Sequence, residues 1–223
     1  MMKESKSYSD MALETIYDLK HAPNAGSVID CSFGSQPYRL TLLTTSHLED
    51  QQIIQLCAKW RKQHEDWFPA RFTVTVEGTA GWLKNGVVET PDRLLFMISV
   101  NGAYLGHVGL FRFEFDDRTC EIDNIVRGES GYPGLIGDAI ADMMRWGSNR
   151  LGLKGYTLQT FSNNERSLSL YLRLGFREVK RVPLLKSEAE GRVEWVDAPA
   201  DYRGPVERSN VFMVLSDARY LEG

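Results

Sequence analysis

The sequence predicts a mixed α/β domain built on a mostly antiparallel sheet, and three observations carry that expectation. First, RLLFMISV (93–100), Asn101-Gly102 and AYLGHVGLFRF (103–113) read as two strands joined by a two-residue hairpin turn. Second, DDRT (116–119) turns the chain into CEIDNIV (120–126), a third antiparallel strand. Third, the glycine-rich stretch RGESGYPGLIGDAI (127–140) leads into a helical pattern, after which strand and helix follow once more. The order is strand, helices, three antiparallel strands, glycine loop, helix, strand, helix, strand, strand. It lacks the regular alternation of a doubly wound sheet. At 223 residues the chain suits one elaborated domain.

Taken in order, YSDMALETIYDLK (8–20) spaces Met11, Ile16, Tyr17 and Leu19 in a loosely helical way, and PNAG (23–26) breaks it. SVIDCSF (27–33) and YRLTLLT (38–44) read as strands. Ser46 with Glu49 three residues later has the pattern of a capping box, placing a helix that runs to Trp60 or His64. A second helical stretch falls within 78–87. After the glycine loop, Ile136, Ile140, Met143, Met144 and Leu151 repeat at helical spacing over 136–153. GYTLQTF (155–161) is the next strand, and Asn164 to Leu174 an amphipathic helix stopped by Gly175. FREVKRVPLL (176–185) and NVFMVLS (210–216) are the last strands, separated by a long polar segment of the kind that is usually functional or mobile. The domain expectation is therefore residues 1–36 as an N-terminal helical and extended appendage, and 37–223 as a single domain with a long insertion near 186–208.

Composition excludes several classes. An apolar content of 43% with 25% charged residues is that of an ordinary globular protein. A net charge of −4 with both signs interspersed offers no basic footprint for nucleic acid, and no basic helix suggests a membrane surface. Cys31, Cys57 and Cys120 are too few and too scattered for a disulfide framework, which suits a reducing, cytoplasmic setting. His21, His47, His64 and His107 lack metal-ligand spacing, so no metal is expected. The longest apolar run, LLFMISV, is far short of the roughly 20 residues that span a bilayer.

Three mechanisms compete for the glycine loop. A dinucleotide fingerprint fails because Gly128, Gly131 and Gly134 are spaced by three. A nucleophile elbow fails because Tyr132 stands where the closing glycine of GxSxG would be. A diphosphate cradle at a helix N-terminus, formed by the amides of Ser130 to Ile136, remains open beside a plain strand-to-helix turn.

Residues 104–176 resemble the core of the GNAT (Gcn5-related) N-acetyltransferase superfamily. YLGHVGL resembles its third strand, CEIDNIVRG its fourth, and the glycine loop its pyrophosphate-binding motif. In YTLQTFSNNERSLSLYLRLGF, Asn164, Tyr171 and Gly175-Phe176 occupy the places of the family's Asn, Tyr and Gly-Phe. The resemblance implies a sheet splayed between its fourth and fifth strands, helices on both faces, and acetyl-CoA as co-substrate. It implies cofactor contacts at Ile125, Val126, Arg127, Gly131, Tyr132, Gly134, Leu135, Ile136 and Asn164. The loop departs from the family pattern: Tyr132 and Leu135 replace a basic or amide residue and a glycine, and Glu129 brings a negative charge that must point away. Main-chain amides are then the expected contacts.

Tyr171 is the expected general acid for the leaving thiolate, since phenol and thiol pKa values are close enough for such a transfer. Strand alternation puts Glu121, Asp123 and Ile125 on one face, with the two carboxylates about 7 Å apart as alternative bases or amine ligands. His107 on the neighbouring strand and Trp82 are expected on the acceptor side, with Trp60 and Trp67 in the same wall. Cys120 points to the opposite face from Glu121, so direct transfer is expected over a covalent intermediate. The pattern IDNIVRGE…GL…FSNNERSLSLYLRLGF is similar to enzymes of bacterial surface-polysaccharide pathways that acetylate nucleotide-linked amino sugars. The expected acceptor is thus a small amine with a nucleotide-linked sugar ahead of a lysine or protein N-terminus, and a homodimer is left open. A non-catalytic acyl-CoA-binding module is the competing class.

Overall fold

The computed structural model describes residues 6–22, 25–189 and 191–216. Pro23 and Asn24 of the expected PNAG break lie outside them. Helix α1 (Tyr8–His21) starts at Ser7, whose hydroxyl accepts from the Asp10 amide. Strands β1 (Val28–Phe33) and β2 (Gln36–Leu42) form a hairpin. Helix α2 (Gln51–Gln63) is capped by Asp50, not Ser46, because a short turn at Thr45–His47 separates β2 from the helix. The carboxylate of Asp50 accepts from the amides of Gln52 and Ile53, satisfying two of the donors a helix start leaves open.

A two-residue strand β3 (Ala70–Arg71) precedes helix α3 (Val76–Gly81), which continues as a wider turn over Trp82–Val88. Strands β4 (Leu94–Val100), β5 (Ala103–Glu114) and β6 (Thr119–Arg127) make the antiparallel meander. The tight turn between the first two has positive φ at both Asn101 and Gly102. Helix α4 (Leu135–Leu151), strand β7 (Gly155–Phe161) and helix α5 (Glu165–Arg173) follow. The chain ends with β8 (Arg177–Ala189), β9 (Arg192–Asp197) and β10 (Arg208–Leu215).

All ten strands join in the order β1-β2-β4-β5-β6-β7-β10-β8-β9-β3. The polar segment after Leu185 is therefore not simply a loop: β8 runs on to Ala189 and turns back as β9 in a hairpin. Alternation is weak there because neither hairpin face enters the core; of β8 only Leu184 is buried. β9 pairs in turn with β3, which fastens the stretch after α2 to the far end of the sheet.

Two apolar layers cover the two sheet faces. Ile16 and Leu19 of α1, Ile140, Met143 and Met144 of α4, and Tyr171 of α5 pack with Phe96, Ile98, Val108 and Ile122 on one face. Ile53, Ile54, Cys57 and Trp60 of α2 pack with Leu83, Val87, Leu95 and Met97 on the other. β4 is consequently buried along its whole length and reads as an unbroken apolar run. β1 and α1, within the segment expected as an appendage, belong to this same sheet and core.

β6 and β7 are the only parallel neighbours among the described residues, paired from Thr119–Gly155 to Ile122–Leu158. Past that point β7 pairs with β10 alone, while β6 continues to Arg127. The sheet thus opens at its middle, and the backbone edge of residues 123–127 on that side faces the opening. No described helix is long and apolar enough to cross a membrane.

Candidate active site

The opening in the sheet is the centre of a cavity of about 860 Å³. Such a volume lies in the range of small-molecule and cofactor pockets. Glu121, Asp123, Ile125, Val126, Arg127, Tyr132, Gly134, Ile136, Asn164, Tyr171, His107 and Trp82 all line it. Two expected cofactor residues are placed otherwise. Gly131 is off the lining; Leu135 turns its side chain into the core and donates its amide to the Tyr132 carbonyl at 3.2 Å.

The glycine loop is held from two sides. Gly128 lies directly under Trp60, where a Cβ would come within 1.9 Å of the indole, so only glycine fits. Trp60 Nε1–H and Lys59 Nζ both donate to Glu129 Oε1, at 2.9 and 2.6 Å. These partners hold the Glu129 carboxyl below the usual carboxylate range and turn its charge toward α2, away from the loop's inner face. Arg127 donates to the carbonyls of Glu129 and Gly131, and His64 Nε2–H donates to the Arg127 carbonyl at 2.9 Å. With the carbonyls taken up, amides are left facing the cavity. Gly137 and Asp138 bond back to Gly134, while the amides of Gly134 and Ile136 have no partner among the described residues. Gly134 itself has φ of 99°, a conformation an L side chain rarely adopts. The free amides lie at the start of the 17-residue α4, whose dipole adds to their pull on an anion.

A bulge shapes the strand beside the loop. His107 pairs with Val126 and Gly109 with Asp123, so one residue of β5 opposes two of β6. Asn124 takes φ of 50°, and the alternation breaks there. Ile125 consequently packs with the α4 layer, opposite in face to the Val126 that packs with α2, and not with the two carboxylates as simple alternation predicts. The bulge leaves the Asn124 carbonyl without a strand partner, and His107 Nδ1–H donates to it at 2.7 Å. His107 is fully enclosed, and burial pulls its pKa down to about 4, so the imidazole is neutral at pH 7.

The two carboxylates differ in what they have left to offer. Asp123 accepts from the Asn124 amide through Oδ1, and from Arg93 and the Asn124 side chain through Oδ2. Both oxygens are committed to holding the bulge. Glu121 instead receives Arg112 (2.8 Å) and Gln159 (3.1 Å) on Oε2 alone. Its Oε1 has no partner among the described residues. Arg112 reaches it because a second bulge, with positive φ at Arg112, turns that side chain inward. Gln159 is oriented by Asn210, which donates to its carbonyl oxygen at 2.6 Å.

Across the opening, Tyr171 is 5% exposed, and burial pushes its pKa up to about 12. It holds its proton throughout the neutral range and is a donor. Asn164 caps α5, accepting the Ser167 amide at 3.2 Å, while also lining the cavity. Cys57 borders the cavity too, but burial pushes its thiol up to about 12, so it offers no thiolate nucleophile. Among the described residues no group of three or more His, Cys, Asp or Glu side chains is placed to hold a metal ion.

Arg93, Arg112, Gln159, Arg61 and His64 were not expected at the site. None of them stands at a motif position, and only the strand register and the α2 packing bring them in. Trp60 is buried over Gly128, whereas Trp67 and Trp82 line the cavity.

Comparison with known proteins agrees with this geometry. The family model described as "Acetyltransferase (GNAT) domain" matches residues 39–177. No curated protein sequence matches the chain. Among solved structures, spermidine N-acetyltransferase from Vibrio cholerae in complex with CoA and spermine superposes with a TM-score of 0.61 at 16% identity, covering 82% of this chain and 98% of that one. A probable GNAT-family acetyltransferase from Chromobacterium violaceum gives 0.63 at 15% identity, covering 88% and 89%. The ribosomal L7/L12 alpha-N-protein acetyltransferase in complex with coenzyme A gives 0.59 at 12% identity, covering 85% and 99%.

Proposed function

The chain belongs to the GNAT acetyltransferase family, and from that premise we propose that its acetyl-CoA-dependent N-acetylation acts on a small primary amine, the amino group of a nucleotide-linked sugar being the leading candidate. The observation that carries the reading is the pairing, within one cavity, of a phenol that keeps its proton with a carboxylate that has one oxygen free.

Acetyl-CoA supplies an acetyl thioester when bound. The free amides of Gly134 and Ile136 at the start of α4 fit its diphosphate, and the unpaired edge of β6 past Ile122 fits an extended pantetheine arm. Glu121 Oε1 takes a proton from the acceptor ammonium, directly or through a water, which exposes the nitrogen lone pair. The C–N bond forms as the C–S bond breaks, Tyr171 gives its proton to the departing sulfur, and the second proton shed by the acylated nitrogen returns to the phenolate through solvent. Asp123 acts as an anchor for the bulge, and neutral His107 fixes the strand through the Asn124 carbonyl.

The acceptor half favours a compact, partly aromatic or sugar-like substrate. Trp67, Phe72 and Trp82 are among its lining, joined by Trp195 of β9. A polycation such as the spermine bound by the Vibrio cholerae enzyme needs uncompensated acid, yet Glu121 and Asp123 each already face an arginine. The test is thiol release from acetyl-CoA with nucleotide-linked amino sugars, polyamines and peptides bearing free N-termini. A higher kcat/KM on polyamines or peptides sinks the sugar assignment. CoA binding with no turnover on any amine leaves a binding module in its place.

A further inference from the structure

Arg61 is the cavity residue that the chemistry above does not use. It stands on α2 and lines the acceptor half. Its guanidinium carbon lies over the Phe68 ring, 3.9 Å from the centroid, and over the Phe72 ring at 4.9 Å. Nη2 donates to the Ala70 carbonyl, and Nη1 is buried with no partner among the described residues. The other two arginines of this half, Arg93 and Arg112, are paired with Asp123 and Glu121. Arg61 has no carboxylate within ion-pair distance among the described residues; Glu65, on the next turn, acts on it only through space. Burial lowers its pKa, the mark of a cation short of a counter-charge. Exposed rings stand close by: Trp67 is 45% and Phe72 41% exposed.

We propose that Arg61 is an anion subsite of the acceptor pocket, taking a carboxylate or phosphate group carried by the amine substrate. The inference rests on the amine-acetylating reading and narrows it to acceptors that bear an oxyanion. Three features support it. A buried guanidinium with a spare N–H gains a charge-assisted hydrogen bond from such a group, and its planar fork suits two oxygens. The stacked rings hold the fork in place in advance, so less rotamer freedom is lost on binding. Asp123 and Glu121 are already neutralised by Arg93 and Arg112, which leaves the exposed Asp197 as the carboxylate of this lining without an ion pair among the described residues.

The experiment uses the full chain saturated with CoA, so that the α4 cradle is filled. Inorganic pyrophosphate, and separately malonate, are titrated at constant ionic strength while tryptophan fluorescence is read. Saturable binding of one of them, weakened about tenfold or more in Arg61→Met, is the expected result, and which anion binds distinguishes phosphate from carboxylate. Saturation by neither, or equal affinity in Arg61→Met, overturns the subsite. As a second reading, the ratio of kcat/KM for an amine bearing an oxyanion to that for its neutral counterpart falls about tenfold in Arg61→Met. Equal losses on both acceptors make Arg61 a packing residue. If Arg61→Met does not fold, Arg61→Lys keeps the charge and loses the fork, and the same ratio is measured. Acetyl transfer by an unsubstituted chain that binds neither anion overturns only the subsite. Anion binding without transfer to any amine overturns only the reading it rests on.

Discussion

Glu121 and Asp123 stand two positions apart on β6 and both face the cavity, but only one has an oxygen to spare. Glu121→Gln is therefore expected to lower kcat near neutral pH. The deficit should shrink as pH rises toward the pKa of the acceptor amine, because an amine already neutral needs no base; a pH-independent deficit overturns the role. Asp123→Asn should act on stability. It leaves Arg93, with a side chain only 16% exposed, short of its counter-charge, and thermal melting should report a loss of about 3 kcal/mol. Tyr171→Phe should cut kcat on the order of 100-fold with little change in CoA affinity, and unchanged turnover sinks the general-acid assignment. In each case the residue type was legible in the sequence. Its commitments were not, because the partners Arg93, Arg112 and Gln159 lie on other strands.

At the scale of elements, the loop between β6 and α4 works through its backbone, and its surroundings impose that. Gly134→Val forces a β-branched residue into φ of 99° and brings a Cβ within 3.2 Å of the Phe33 ring. CoA binding measured by calorimetry should weaken about tenfold, and unaltered affinity removes the cradle. The link between α2 and the loop gives a second expectation. Lys59→Met leaves the Glu129 carboxylate held by Trp60 alone, beside the proposed diphosphate site, and should raise KM for acetyl-CoA roughly threefold. In a Glu129→Gln background the same change should have no effect, since no charge remains to be neutralised; an equal rise there would show that Lys59 acts otherwise. The bulge at Asn124 was invisible in the letters of CEIDNIV. Alternation is a property of an unbroken strand, and an added residue at positive φ is decided by what β5 offers opposite.

Across the whole molecule, His107 links the core to pH. Its pKa is about 4 in the fold against an ordinary value of 6.5, so between those values the unfolded chain binds more protons than the folded one. Stability then rises with pH through that window, and acidification from 6.5 to 4 should remove up to about 3 kcal/mol from this group. The melting temperature should fall over that range, and His107→Gln, whose amide can still donate to the Asn124 carbonyl, should flatten the fall. A melting profile that does not change in the variant overturns the assignment.

By itself the sequence determined the meander, the positions of α4 and α5, the Asn101-Gly102 turn and the family, because each rests on local spacing or on a motif within one continuous stretch. It also determined which side chains could carry acid and base chemistry. Only the tertiary structure decided that β9 pairs with β3, that Glu129 is turned away by Trp60 and Lys59, and that Glu121 rather than Asp123 keeps an oxygen without a partner among the described residues. It likewise placed Arg61 over Phe68 and Phe72 with a side-chain nitrogen that has no partner among the described residues. The physical reason is common to all four. Each depends on a partner brought from a different element by strand register or helix packing, and such contacts leave no periodicity in the chain that makes them.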